Sequence, residues 1–298
     1  MGHRLGKAAV AGPIPARGSK TLGLDSDSKT FSKAVNKFQN TAYCFEKYLK
    51  SVNLEQFFRE LGASDPRKLA EEAAYFTSKE AEKRDQIVKG YFGQAGINRI
   101  VKTVVDRLLE KPALPVNARI LDVGAGNGFF TLRIAEKVQA KLPETSFYAM
   151  DLTPAMLLAL NKKNANVTPF LGIAENIKGS ITKAKNINIP AKFDAIFSTL
   201  MLHHSTSPER VFESVKTALK RNGKAIILDL CEHGFEEFRT EMGDLHLGFK
   251  PEDINKMAGK HFSTVKTEKI PGIQCTCSGR GTEIFVTTML NRLRKQVK

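Results

Sequence analysis

Three alternating glycines, Gly124, Gly126 and Gly128, follow an acid, Asp122, at the end of the apolar run Ile120, Leu121 and Val123. Glycines so placed let the backbone approach a bound molecule where a Cβ would collide. Pyrophosphate binders space their glycines G-x-G-x-x-G and receive the anion on a helix N-terminus. Here the spacing differs, and the acid two residues before Gly124 would repel an anion but suits a ligand carrying an ammonium group. A second acid, Asp151, closes the stretch Ser146 to Met150, and a carboxylate at such a strand end can accept both hydroxyls of a ribose. Four histidines are candidates for proton transfer: His203 and His204 after the apolar stretch Phe193–Thr199, His233 after Ala225–Leu230, and His246 in the segment Glu241–Phe249. Any one of them, taken alone, is more economically a structural or surface residue. Glu232, His233, Glu241, Asp244 and His246 are residue types that bind divalent metals, but spacing along a loop says nothing about convergence, and no metal is expected.

The elements that must position these groups are legible as periods. Ile120, Leu121 and Val123 read as a buried strand; Thr131 to Val138 carries apolar residues at helical spacing, so the glycines sit at a strand-to-helix turn. Upstream, Lys29 to Ser51, Leu54 to Leu61, Pro66 to Thr77 with Asp65 as N-cap, Ser78 to Tyr91 and Ile97 to Leu109 read as helices. Tyr75 and Tyr91 could cap a ligand or pack in a core. Downstream, a loop-helix insert follows the stretch ending at Asp229, then a short helix starting at Pro251 and two strands, Thr264–Ile270 and Glu283–Met289.

The arrangement around Asp122 to Gly128 resembles the first motif of class I S-adenosylmethionine-dependent methyltransferases. The resemblance continues through Asp151, through Val167 to Glu175 as third strand and adenine loop, through Phe193 to His204, and through Leu219 to Asp229, covering residues from about 114 onward. The nearest look-alikes are the methyltransferases of ubiquinone and menaquinone biosynthesis. The resemblance implies an α/β fold: a Rossmann-like, seven-stranded, mostly parallel sheet with an antiparallel last strand, preceded by an N-terminal helical segment. It implies S-adenosyl-L-methionine as cofactor, held by Asp122, Gly124, Ala125, Gly126, Gly128, Asp151, Leu152, Ala174, Glu175 and Ser198. It also implies a small organic acceptor methylated at O, N or C. One departure stands out: relatives often carry an acid at the position of Ile173 to receive the adenine amino group, so here that contact falls to backbone or to Glu175, or is missing. The expected organisation is a disordered basic tail over 1–28, a helical segment over 29–112 that forms either a lid or an interface, and a methyltransferase domain over 113–298.

Composition narrows the alternatives. The 298 residues are 42% hydrophobic and 26% charged, without an apolar run near the roughly 20 residues a bilayer needs. The formal charge of +15 invites an RNA or protein substrate. The excess is nevertheless spread along the chain, with 21 Lys+Arg against 13 Asp+Glu in the first 120 residues and 25 against 18 in the rest. No recognisable RNA-binding module accompanies it, so nucleic acid stays open without being favoured, as does a non-catalytic scaffold. Cys44, Cys231, Cys275 and Cys277 form no C-x2-C pair, which suggests a reducing compartment and a cytoplasmic location. The acid-free residues 1–24 leave organellar targeting open. Oligomeric state is not addressed by the sequence.

Overall fold

The computed structural model describes residues 44–291, apart from 76, 77, 164, 165, 185 and 186 and the side chain of Tyr75. The expected basic tail and the first part of the helix expected from Lys29 lie outside the described residues. Helices α1 (44–51), α2 (Leu54–Glu60), α3 (Pro66–Tyr75) and α4 (Ser78–Leu109) precede the sheet. Asn53 caps α2 through its side chain, which accepts from the Gln56 amide, and Asp65 does the same for the Lys68 amide before the proline that opens α3. The two helices expected over 78–109 form one element bent at Gly93, whose φ of 60° and ψ of 171° break the helical path.

Thereafter strands and helices alternate: β1 (Arg119–Val123), α5 (Phe129–Gln139), β2 (Ser146–Asp151), α6 (Pro154–Lys163), β3 (Val167–Leu171), α7 (Ile177–Lys183), β4 (Phe193–Thr199), α8 (Pro208–Ala218), β5 (Leu219–Leu230), α9 (Glu237–Met242), α10 (Pro251–Gly259), β6 (Thr264–Cys277) and β7 (Arg280–Leu290). The seven strands form one sheet in the order β3-β2-β1-β4-β5-β7-β6. β1 to β5 are parallel, while β7 runs antiparallel to both β5 and β6. β6 and β7 extend well past the stretches read from sequence, to a tight turn at Ser278 and Gly279, with the register of β6 shifting between Lys269 and Gln274. This is the Rossmann-like α/β sheet with antiparallel finish that the sequence resemblance implies.

The near-continuous apolar runs of the central strands follow from burial on both faces. Successive residues alternate between two cores. Ile120, Ile226, Leu228 and Ile284 face Ile97, Ile100 and Val104 of α4 and Phe130, Ile134 and Val138 of α5. Leu121, Val123, Ile196, Ala225 and Ile227 face Val211, Phe212 and Val215 of α8 and Ile254 of α10. A third cluster sits at the β3 edge, where Phe45, Leu49, Phe57, Phe58 and Leu61 of the N-terminal helices bury Leu157, Leu171 and Ile173. Hydrogen bonds pin this contact: Asn176 donates to the Leu61 carbonyl at 2.8 Å and Arg210 to the Gly62 carbonyl at 3.1 Å.

At the opposite end of the sheet, Lys224 is buried with 1% of its surface accessible. Its ammonium donates to the carbonyls of Arg107, Leu108 and Glu110 at 3.3, 3.1 and 2.5 Å, satisfying the C-terminal carbonyls of α4. Among the described residues no helix is long and apolar enough to cross a membrane.

Candidate active site

β1 and β4 are neighbours although three helices and two strands separate them in sequence. The chain therefore leaves β1 toward one edge of the sheet and returns from β4 toward the other, opening a crevice at the strands' carboxyl ends. The glycine loop stands in that crevice. The amides of Gly124 and Ala125 donate to the Met150 carbonyl at 2.8 and 3.0 Å, which ties the loop to the end of β2. Gly124, Gly126 and Gly128 have φ of 75°, 54° and 81°, a region that L-residues with a Cβ avoid. Their surroundings differ. A Cβ on Gly124 would lie 2.2 Å from Met201 Cγ and one on Gly128 2.3 Å from Leu160 Cδ1, whereas one on Gly126 would meet nothing within 4 Å. Gly124 and Gly128 are thus demanded by packing of the protein itself, and Gly126 presents bare backbone to open space.

Two carboxylates frame the loop. Asp151 accepts the Gly126 amide at 2.7 Å on one oxygen and the Thr153 amide at 2.9 Å on the other. Burial raises its pKa, against the two amides that stabilise the anion. Asp122 is fully buried; one oxygen accepts the Thr131 hydroxyl at 2.6 Å and the other has no hydrogen-bond partner among the described residues. Burial, reinforced by Asp151, pushes its carboxyl up to about 7 despite the Thr131 bond. An orphaned, desolvated acid oxygen beside a glycine cradle fits a ligand that brings a positive charge.

Next to the loop, Asn127 is buried and donates to the Ala81 carbonyl at 2.9 Å and to Asp85 at 2.7 Å, so the first half of α4 is tied directly to the glycine turn. Leu152 is half-buried against the third cluster, and Ala174 is buried at the turn after β3. Glu175 accepts the Ser205 hydroxyl at 2.7 Å. Ser198, expected on the ligand side, donates its hydroxyl to the Val123 carbonyl at 2.7 Å, joining the ends of β1 and β4. Ile173 is 1% exposed and shares a cluster with the apolar N-terminal helices. Its amide donates to Ser180 Oγ at 3.1 Å. Tyr91 is half-buried against the first core, while the Tyr75 side chain lies outside the described residues.

The four histidines separate into two kinds. His246 contacts the Ser205 carbonyl through Nε2 at 3.0 Å and leans on Phe249. His233 lies against Phe235 and Phe238, and its Nδ1 accepts the Phe235 amide at 3.3 Å. Both hold the loop after β5 in shape. His203 and His204, in contrast, stand side by side after β4 with ring centroids 4.1 Å apart. His203 is 1% exposed and its Nδ1 lies 2.6 Å from Asp229 Oδ1, with Asp244 on its far side. Burial alone would lower its pKa, but Asp229 outweighs that and raises it; His204 is driven well below the usual histidine value by burial and by the neighbouring His203. The loop carrying Asp244 is strapped here by the amides of Leu245 and His246, which donate to the His203 carbonyl at 3.1 and 3.0 Å.

The other residues considered for a metal do not join this group. Glu232 is exposed and paired with Lys250, and Glu241 accepts from Cys277 at 3.2 Å and from Ser278. Asp229, which composition and spacing did not single out, is central: a lone acid inside the apolar run Ala225–Leu230 was the available signal.

A family described as "Methyltransferase domain" matches residues 115–270. Among curated proteins, the chain is 25% identical over 153 residues to a highly reducing polyketide synthase, PKS6, of Gibberella zeae, covering 50% of this chain and 6% of the synthase. It is also 25% identical over 126 residues to malonyl-[acyl-carrier protein] O-methyltransferase 1 of Ilyobacter polytropus, covering 42% of this chain and 43% of that enzyme. The matches therefore span less than half the length of these two relatives. Among solved structures, phosphoethanolamine N-methyltransferase 2 of Haemonchus contortus in complex with S-adenosyl-L-methionine superposes with a TM-score of 0.52 at 16% identity, covering 73% of this chain and 58% of that one. The sheet order, the glycine turn and the acid closing β2 define a class I methyltransferase fold. The chain belongs to the methyltransferase-domain family, whose donor is S-adenosylmethionine.

Proposed function

We propose that this protein transfers a methyl group from S-adenosylmethionine to a small organic acceptor. The observation that carries the reading is the bare backbone at Gly126, bonded to the carboxylate of Asp151 in the loop that follows the buried Asp122 and its orphaned oxygen. In this reading Asp151 receives the ribose hydroxyls, the amides and carbonyls of the glycine loop approach the methionine moiety, and Asp122 supplies the negative field for its ammonium. Leu152, Ala174 and Glu175 border the adenine. The apolar helices α1 to α3 over Leu157, Leu171 and Ile173 act as the cover of that end.

The chemistry asks little of side chains. The acceptor's lone pair attacks the methyl carbon in line as the bond to the sulfonium breaks; the positive charge on sulfur disappears and neutral S-adenosylhomocysteine leaves. Holding the two reactants in line supplies much of the rate. His203 and His204, at the end of β4, stand on the acceptor side. The first half of α4, tied to the glycine turn through Asn127, and the Asp244–His246 loop, tied to the His203 carbonyl, flank the site, and this supports the reading of a small acceptor.

Calorimetric titration with S-adenosylmethionine and S-adenosylhomocysteine tests the donor site. Both should bind, and Asp151→Ala should weaken binding by about 2 kcal/mol, roughly 30-fold, since a charged acceptor of hydrogen bonds is removed. Unchanged affinity in that variant would refute the placement of the ribose. Methylation of small phenols, quinols, amines and carboxylic acids, followed by mass spectrometry, then distinguishes acceptor classes; activity confined to RNA or protein would refute the small-acceptor reading.

A further inference from the structure

The hydrogen bonds around His203 leave one pair of buried groups in conflict. Asp229 accepts the Leu202 amide on Oδ2 and the Leu230 amide on Oδ1, both at 2.7 Å, and faces His203 Nδ1 at 2.6 Å. With the carboxylate accepting from every side, the proton of this contact sits on Nδ1, so that whenever the imidazole is neutral its lone pair is on Nε2. Nε2 points at Asp244 Oδ1, 3.5 Å away. Neither Nε2 nor either oxygen of Asp244 has a hydrogen-bond partner among the described residues, and both side chains are at most 1% exposed. In that state two acceptors face each other in a dry place, an arrangement that costs free energy unless a positive charge lies between them.

A proton is a poor fit for that charge. A charge-assisted N–H···O bond closes to about 2.7–2.9 Å, well short of the observed separation. Two ligands held about 2.0–2.2 Å from one ion at a tetrahedral angle stand about 3.4 Å apart, which is the observed spacing within a tenth of an ångström or so. A third donor is present: a ring nitrogen of His204 lies with the ligand atoms of His203 and Asp244 in a group whose members are all within 4.8 Å of one another. His204 Nδ1 faces the Gly243 carbonyl at 3.2 Å. Each imidazole therefore has an oxygen acceptor behind Nδ1, a carboxylate for one and a backbone carbonyl for the other, which is the outer-shell pattern that orients metal-binding histidines. The half-buried Arg84 and, toward Asp244, the exposed Arg239 are cations whose fields reach this group. Against them stand the carboxylates of Asp229 and Asp244, which face His203 directly at 2.6 and 3.5 Å.

We propose that His203, His204 and Asp244 bind a late first-row divalent metal ion, with Zn2+ as the reference, and that Asp229 is the positioning residue behind His203. Three protein ligands leave one coordination position open, as in catalytic rather than structural zinc sites. Its place after β4 suits a heteroatom of the acceptor, whose lone pair the ion would orient. The proposal departs from the sequence expectation of no metal and rests on the cluster's geometry, not on the donor reading.

Full-length protein without a polyhistidine tag, stripped with chelator, is titrated with Co2+ as a spectroscopic substitute for Zn2+. The expected result is stoichiometric binding with the visible bands of low-coordinate Co2+, bleached by Zn2+. Asp229→Asn should weaken binding about 10- to 100-fold, and Asp244→Asn and His204→Gln should abolish it. Far-UV circular dichroism and donor calorimetry on the same samples separate loss of the ion site from loss of fold or of donor binding; His204, half-buried, is the variant least exposed to misfolding. Absence of the bands in the parent protein, or equal Co2+ affinity in folded His204→Gln, overturns the proposal.

Discussion

Asp122→Asn should gain stability relative to the parent protein as pH rises, and should bind its donor less well. The carboxyl sits fully buried, with one oxygen bonded to Thr131 and the other without a partner among the described residues, and its pKa rises from the ordinary 3.8 to about 7. A folded-state pKa above the unfolded value means that between the two the folded chain holds a proton that the unfolded chain has released. Stability from this group is complete below about pH 4, declines as pH rises toward 7, and is flat beyond. At about 1.4 kcal/mol per pH unit, the full excursion is worth about 4 kcal/mol as an upper figure. Asparagine keeps an acceptor for Thr131 and leaves an amide where the orphaned oxygen was. That amide costs a constant amount, so the informative quantity is the slope: the stability of Asp122→Asn relative to the parent should climb by up to about 4 kcal/mol between about pH 4 and pH 8.

The chain has no tryptophan, so urea unfolding is followed by far-UV circular dichroism at a series of pH values. In the donor reading, the ligand's ammonium needs the ionised acid. Parent affinity for S-adenosylmethionine should therefore strengthen as pH passes upward through about 7, whereas the variant binds more weakly and without that dependence. Parallel pH profiles of stability in the two proteins would refute the account of the buried acid. Equal donor affinity at pH 8 would refute its role toward the ligand while leaving the stability argument intact.

The glycines should divide by what surrounds them. Gly124→Ala and Gly128→Ala drive a Cβ to 2.2 and 2.3 Å from Met201 and Leu160 and should lose stability in urea titrations, whereas Gly126→Ala meets no neighbour within 4 Å. The cost at Gly126 is the left-handed backbone alone, about 1–2 kcal/mol, yet calorimetry should show donor affinity down by about tenfold or more. Equal stability losses at all three positions would count against the cradle. Lys224→Met keeps the apolar stem but deprives three carbonyls of their donor, and should destabilise by about 2 kcal/mol with donor affinity unchanged, because it lies at the other end of the sheet.

What the sequence discloses, and what it hides, divides along a physical line. The strand-glycine-helix turn is local: apolar period, glycine spacing and the acid at 122 are all within one stretch, so β1, α5 and their connection can be read directly. The alternation of Cys275 and Cys277 onto one buried face of β6 is equally local. Contacts that depend on how distant segments meet are not. Ile173 reads as a departure from its relatives until Phe57, Phe58 and Leu61 are seen to share its cluster, after which an apolar residue is what the position requires. Ser198 reads as a ligand contact by its place in the motif order, and the sequence does not disclose that its hydroxyl donates to the Val123 carbonyl on the neighbouring strand. Asp122, Lys224 and Asp229 form the intermediate case. A charged residue inside an apolar run, or at its edge as Lys224 is, must find a partner if it is buried, because the bare group is too costly to bury; the sequence does not say which. For Lys224 the partner is the end of α4, more than a hundred residues earlier. For Asp229 it is His203, and through it Asp244, on a loop tied back to the sheet by Leu245 and His246, which donate to the His203 carbonyl, and by Phe249, which donates to the Leu230 carbonyl. For Asp122 the protein supplies half of a partner in Thr131, and the missing half is where a charged ligand earns its binding energy.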